Sequence, residues 1–245
     1  MSTGAEHLLW RYNLLLRMLA LPLAGYTLWQ ALRERDPRYL RERLGFYRQH
    51  SAERPVWLHA ASVGEVNAAL PLLESLARHN PGVPLLLTTT TPSGARAAAT
   101  RLPGGVRHVY FPIDWHGAVS RFLARHRPRC ALVMETELWP NLYSVCSAEG
   151  IPLLIVNGRL SARTRRASPW LRRLYGLCLH QVSAVLARSE HDRTSFISLG
   201  TPAERCEMIG NIKFAAAPLA GGIHPIEFGF PYVLAASTRE GEEKL

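Results

Sequence analysis

From Pro55 to Gly210 the chain alternates short apolar runs with longer helix-forming ones, and this alternation limits its fold more than any other feature. The apolar runs are VWLHA (56–60), VPLLLTTTT (83–91), RHVYFP (107–112), CALVME (130–135), IPLLIVN (151–157), SAVLARS (183–189) and CEMIG (206–210). Helical patterns fall between them at 66–79, 94–100, 116–126, 139–149 and 191–199, and a basic segment follows the fifth run. Nearly continuous apolar strands separated by helices predict a parallel sheet covered on both faces, the α/β class. In such a sheet ligands bind beyond the carboxyl ends of the strands, where loops open helices. That rule directs attention to residues 62–65, 88–94, 112–114, 135–141, 157–163 and 189–192. Neither GxGxxG nor GxxxxGK[ST] occurs, so the pattern gives no support to a dinucleotide or P-loop site.

Residues 1–50 are expected to form an amino-terminal membrane anchor or interfacial helix. The stretch is apolar up to Leu32 and then rich in arginine, with Arg33, Arg35, Arg38, Arg41 and Arg43. Its uncharged run, 18–32, is shorter than the ~20 residues that span a bilayer. Trp10, Tyr12, Tyr26 and Trp29 suit a membrane interface, and the arginines favour an anionic cytoplasmic leaflet. Two other readings compete: a core helix, and a cleaved signal peptide, against which Tyr26 stands where a lipoprotein box needs cysteine.

The formal charge is +10, and all but two of the 29 basic residues are arginine, the exceptions being Lys213 and Lys244. Guanidinium forks grip phosphates and carboxylates bidentately, so this surplus suits phosphorylated lipids, nucleotides, nucleic acid or an anionic membrane; codon bias explains a high arginine count equally well. A nucleic-acid module would interleave aromatics with the basic patch. Here they gather in the amino-terminal segment and the apolar strands, so no nucleic-acid partner is expected. Cys130, Cys146, Cys178 and Cys206 form no CxxC, and the ten histidines form no HxxxH or HExxH, so neither a disulfide framework nor a metal site is expected.

A body domain over 51–214 is followed by a Pro- and Gly-rich linker over 215–231. YVLAAS then opens a further strand, and 232–245 reads as the start of a second parallel-sheet domain that breaks off after one strand and one turn. Ser237 or Thr238 would cap its first helix and leave amides ready for a phosphate.

ASVGEV, TTTTPSG, YFPID, ETELWPN, NGRLSARTRR, GNIKF and AASTREGEE occur in this order from Ala61 onward. Together they resemble the bacterial 3-deoxy-D-manno-octulosonic acid (Kdo) transferases, over a region running from Leu8 to Leu245. Two departures are Gly158, where the family usually has Ala, and Arg239, where His is common. The resemblance implies a GT-B type fold, with a Rossmann-like acceptor domain here and the beginning of a Rossmann-like domain for the donor, CMP-Kdo. It implies an inverting, metal-independent transfer of Kdo to the lipid A precursor, lipid IVA, at the cytoplasmic face of the inner membrane, with no cofactor. A chain that stops early in the donor domain would, alternatively, be a non-catalytic acceptor-binding remnant.

Such a transfer needs a base for the acceptor hydroxyl. Glu65, at the head of a helix after the first strand, is the expected base by position and by resemblance; without the resemblance, a carboxylate complementing a helix dipole fits as well. Ser62 and Gly64 are expected to let the loop turn tightly and bring the acceptor close. Glu135 and Glu137 follow a buried strand and alternate in direction, so at most one is expected to enter the cleft, the other holding a loop or pairing with an arginine. Trp139-Pro140-Asn141 fits either a helix start or an active-site role. Asn157, Arg159, Ser161 and Arg163 are expected to bind acceptor phosphates or the Kdo carboxylate, whereas Arg165 and Arg166 read as a solvated face. Thr88–Thr91 with Ser93 and Gly94 read as a helix cap. The resemblance gives Ser237, Thr238, Glu240 and Glu242 to the donor loop.

Overall fold

The computed structural model describes residues 3–48 and 53–212. Seven strands, β1 (Val56–His59), β2 (Leu85–Thr89), β3 (Val106–Tyr110), β4 (Cys130–Met134), β5 (Leu153–Gly158), β6 (Ala184–Ala187) and β7 (Cys206–Met208), make one parallel sheet in the order β3-β2-β1-β4-β5-β6-β7. All seven expected strands are present, most of them shorter than the apolar runs, with β3 starting and β5 ending one residue beyond them, and the class is α/β with a Rossmann-like sheet.

Adjacent residues of each central strand enter opposite cores, which is why the strands are apolar without alternation. Leu58, Leu87, Met134 and Val156 pack with α4 (Val63–His79) and α5 (Pro92–Arg101). Trp57, Leu86, Val133 and Ile155 pack on the other face with α6 (His116–His126), α7 (Pro140–Ala148), α9 (Pro169–His180) and α10 (Glu190–Leu199). Helix α9 lies in the segment read only as basic; it buries Leu174, Cys178 and Leu179 on one stripe and leaves Arg172 and Arg173 on its exposed face. A one-turn helix, α8 (Ala162–Arg165), precedes it. All four cysteines are free thiols.

The amino-terminal segment forms α1 (Thr3–Met18), α2 (Ala20–Arg33) and α3 (Pro37–Arg43) rather than one anchor helix. At Leu19 the backbone steps to φ −88°, ψ 4° and interrupts the helix. No helix among the described residues is long and apolar enough to cross a membrane. One side of these helices is bound into the domain. Helix α1 lies against α7 and α9, Ala31 and Tyr39 pack with Ala95 and Tyr110, and the buried Glu42 accepts the Tyr110 N–H at 2.8 Å. The outer side leaves Trp10, Leu14, Met18, Leu21, Trp29 and Leu32 exposed, Leu21 at 86%. The linker at 215–231 and the second-domain start at 232–245 lie outside the described residues.

Candidate functional site

The strand order runs outward in both directions from the β1/β4 pair. The chains leaving β1 and β4 therefore pass to opposite faces and open a crevice between them, the place where doubly wound sheets bind ligands. Glu65 stands on the β1 side of this crevice, and Glu135 and Glu137 on the β4 side.

Glu65 belongs to the first turn of α4, which begins three residues earlier than the periodicity suggested because Ser62 caps it. The Ser62 Oγ accepts the Glu65 N–H at 3.4 Å and donates to Glu65 Oε1 at 3.1 Å, while the Ala61 N–H donates to Oε2 at 2.9 Å. This reciprocal pattern is a capping box shifted by one residue. It fixes the carboxylate while leaving further lone pairs free. Burial raises the pKa of Glu65 and the nearby Glu135 charge adds to the rise; the Ala61 and Ser62 hydrogen bonds and Arg159 oppose it. The Ser62 hydroxyl is thus committed to Glu65. Gly64 corrects an expectation: it sits in an ordinary helical turn, and an added Cβ would meet only Ser62 Oγ at 4.0 Å, so no tight turn requires glycine there.

Of Glu135 and Glu137, Glu135 is the one that takes the arginine pairing expected for one of the two. Glu135 adopts φ +54°, a left-handed conformation that ends the strand's alternation. Its carboxylate pairs with Arg159 Nε at 3.0 Å, and its charge still raises the pKa values of both Glu65 and Glu137. Glu137 is lifted to about 7, first by burial, then by the charge on Glu65. The Trp139 indole N–H opposes that rise, but it makes no hydrogen bond of good geometry and is otherwise without a partner. The three carboxylates thus form one electrostatically connected group.

The NGRLSARTRR segment divides differently. Asn157, at φ +56° and 1% exposed, turns its Oδ1 to the Ile212 N–H at 3.2 Å, so it ties down the chain after β7 rather than facing ligand. Ser161 caps α8 through Thr164. Arg159 is half exposed at the crevice rim. The Arg163 side chain lies outside the described residues, as do Ser237, Thr238, Glu240 and Glu242. Gly158 has a packing reason: a Cβ there would come 2.9 Å from the Phe196 ring.

Thr91 caps α5 by accepting the Gly94 N–H at 3.1 Å, whereas Thr88 Oγ1 is buried between Trp57 Nε1 at 2.9 Å and His59 Nδ1 at 2.8 Å. Burial, and then the charge on Arg43, push His59 down to about 3, so it stays a neutral imidazole at ordinary pH. Pro140 begins α7 and Asn141 is buried, so Trp139-Pro140-Asn141 does form a helix start, with the Trp139 indole beside Glu137. Among the described residues no group of three His, Cys, Asp or Glu side chains is placed to hold a metal ion. A cavity of about 720 Å³ between α1 and α9, lined in part by His7, Arg11, Arg173 and His180, contains none of the crevice carboxylates.

Sequence reasoning missed Asp114 as a structural centre. It was visible as the end of YFPID and as part of the strand-end loop 112–114, but not as a joint, because its partners lie 27 or more residues away.

Comparison with known proteins bears on the whole region. The family model of the 3-deoxy-D-manno-octulosonic-acid transferase (kdotransferase) matches residues 38–216. A 3-deoxy-D-manno-octulosonic acid transferase of Bordetella pertussis is 40% identical over 202 residues, covering 78% of this chain and 46% of that protein. One from Haemophilus influenzae is 34% identical over 223 residues, covering 86% and 52%. The chain spans about half the length of these curated relatives. Among solved structures, a UDP-GlcNAc 2-epimerase from Neisseria meningitidis overlays with a TM-score of 0.47 at 16% identity over 64% of this chain and 47% of that one, a likeness too distant to speak for activity or ligand. By the family match and by the two curated relatives, the chain belongs to the 3-deoxy-D-manno-octulosonic acid transferase family.

Proposed function

We propose that this domain binds the acceptor in an enzyme that transfers Kdo from CMP-Kdo to lipid IVA, with inversion and without a metal, and that Glu65 is the general base. The observation that carries this reading is the connected group of Glu65, Glu135 and Glu137 at the switch point of the sheet. CMP is a good leaving group, so the protein's main task is to take the proton from the acceptor hydroxyl as it attacks the anomeric carbon. A fixed carboxylate whose pKa is raised by burial and by neighbouring charge is a stronger base than one in water. Glu137 keeps negative charge or a shared proton beside Glu65. Arg159, exchanging Glu135 for an anionic substrate group, would meet an acceptor phosphate or the Kdo carboxylate. The donor loop is assigned to Ser237, Thr238, Glu240 and Glu242.

We place the protein on the cytoplasmic face of the inner membrane, with α1 and α2 lying in the interface. Their exposed apolar residues, flanked by Arg11, Arg17 and Arg33, support that placement, and Arg33 stacks over Trp29 at 5.1 Å.

The test is a titration of the chain with bis-phosphorylated lipid IVA and with its dephosphorylated form, at two salt concentrations. Binding that requires the phosphates and weakens with salt is expected. Equal binding of the two forms, or none, would contradict the acceptor reading.

A further inference from the structure

Asp114 lies between β3 and α6 and is 3% exposed. Its Oδ1 accepts the Leu142 N–H at 2.9 Å, and its Oδ2 accepts the Asn141 N–H at 3.0 Å and the Tyr12 hydroxyl at 2.9 Å. The Asn141 side-chain amide completes the knot, donating to the Asp114 carbonyl at 2.5 Å and to Asn13 Oδ1 at 2.8 Å.

A carboxylate is required here for a local reason. Helix α7 begins after Trp139, which offers no side-chain acceptor, so its first amides would be buried without partners. Asp114 supplies the acceptor from another part of the chain, and a negative charge at that end also complements the helix dipole. The residues entering this turn are Glu135 to Trp139. One turn further on, the Tyr143 hydroxyl donates to the Glu137 carbonyl at 3.1 Å. The support of the carboxylate loop therefore runs from α1 through Asp114 into α7 and back to Glu137.

We propose that Asp114 is a positioning residue of the crevice: by joining Tyr12 of α1 to the first turn of α7, it makes the amino-terminal helix part of the frame that holds Glu137 in place. Its meaning for transfer rests on the function proposed above, whereas the coupling itself stands on the hydrogen bonds. Tyr12 contributes through Asp114 and needs no contact with substrate. Burying a tyrosine hydroxyl against a carboxylate ties α1 to the domain in one orientation, which apolar packing alone does not ensure.

The test compares Asp114→Asn and Tyr12→Phe with Leu73→Val, a cavity variant in α4 on the opposite face. The second variant deletes one hydroxyl and keeps the ring, so it remains informative if the first fails to fold. Two readouts are taken: amide hydrogen exchange over residues 135–143, and the pH midpoint of the Glu137 carboxyl by carbon NMR. Exchange in that segment should rise about tenfold in Asp114→Asn and about threefold in Tyr12→Phe, beyond the change in Leu73→Val. The Glu137 midpoint should fall from about 7 by about half a unit in both, as water reaches the loop. The proposal is overturned if Tyr12→Phe loosens α1 alone, or if the Glu137 midpoint moves no more than in Leu73→Val. Neither readout requires catalysis, so failure of lipid binding would leave this result standing, and the reverse also holds.

Discussion

Two regions of this domain each hold a carboxyl lifted to about 7: Glu137 among the crevice carboxylates, and Asp114, alone among hydrogen-bond donors, beneath α1. The shift alone does not separate them. Burial is the first cause in both, but what accompanies it differs. Asp114 receives three hydrogen bonds, and all of them oppose its rise. Glu137 sits beside other carboxylates, whose charges add to its rise, with a poorly placed indole in opposition. A buried acid encircled by donors holds structure together, whereas half-buried acids pressed against one another store the electrostatic strain that proton transfer can use. Partners, more than pKa, distinguish a joint from a site.

The largest effect expected from this contrast is on stability. Asp114→Ala strands two backbone amides and a tyrosine hydroxyl in the interior and should cost about 3 kcal/mol in urea unfolding. Glu137→Ala, by relieving repulsion, should cost about 1 kcal/mol or less. If the two costs are equal, the contrast fails.

A pH series sharpens it. A carboxyl lifted from 4.5 to about 7, as in Glu137, or from 3.8 to about 7, as in Asp114, binds its proton more tightly in the folded chain than in the unfolded one. Its contribution is complete below the ordinary value and is lost as pH rises through about 7. The urea midpoint should therefore fall between pH 4.5 and 7, with Glu137→Gln and Asp114→Asn each removing part of the fall. An unchanged slope in both variants would refute the burial account. Tyr12→Phe should cost about 1 kcal/mol, the usual worth of one hydrogen bond. Smallest of all, Arg159→Ala should change stability by less than about 0.5 kcal/mol, since its bond to Glu135 is half exposed; its effect belongs in salt-dependent acceptor binding.

The strand and helix alternation was legible because each strand supplies both cores, which forces continuous apolar runs. The crevice could be located from it, since the carboxyl ends of β1 and β4 carry ASVGEV and ETELWPN. The conformational exceptions were hidden. Period-two alternation allowed for an arginine partner on one acid, which Glu135 finds in Arg159, but it gave no sign of the left-handed backbone at Glu135. Asn157 looked like a ligand group, and its turn to the Ile212 amide is a contact across 55 residues that no local pattern encodes. Asp114 was obscured in the same way: its acidity was plain, but its three donors come from distant helices. Hydrophobic period reports elements well, whereas a polar side chain's partner depends on how those elements assemble.

The most direct test of the division between joint and site is the Kdo transfer rate of Glu65→Gln, measured beside Asp114→Asn in a protein that carries this domain at the full length of its relatives. A loss of roughly 10²–10⁴-fold in rate is predicted for Glu65→Gln, with the unfolding midpoint nearly unchanged, because the substitution removes the proposed base while keeping its shape. Asp114→Asn should instead lower the midpoint more than any other single-atom exchange in the group. Transfer that survives in Glu65→Gln would contradict the account.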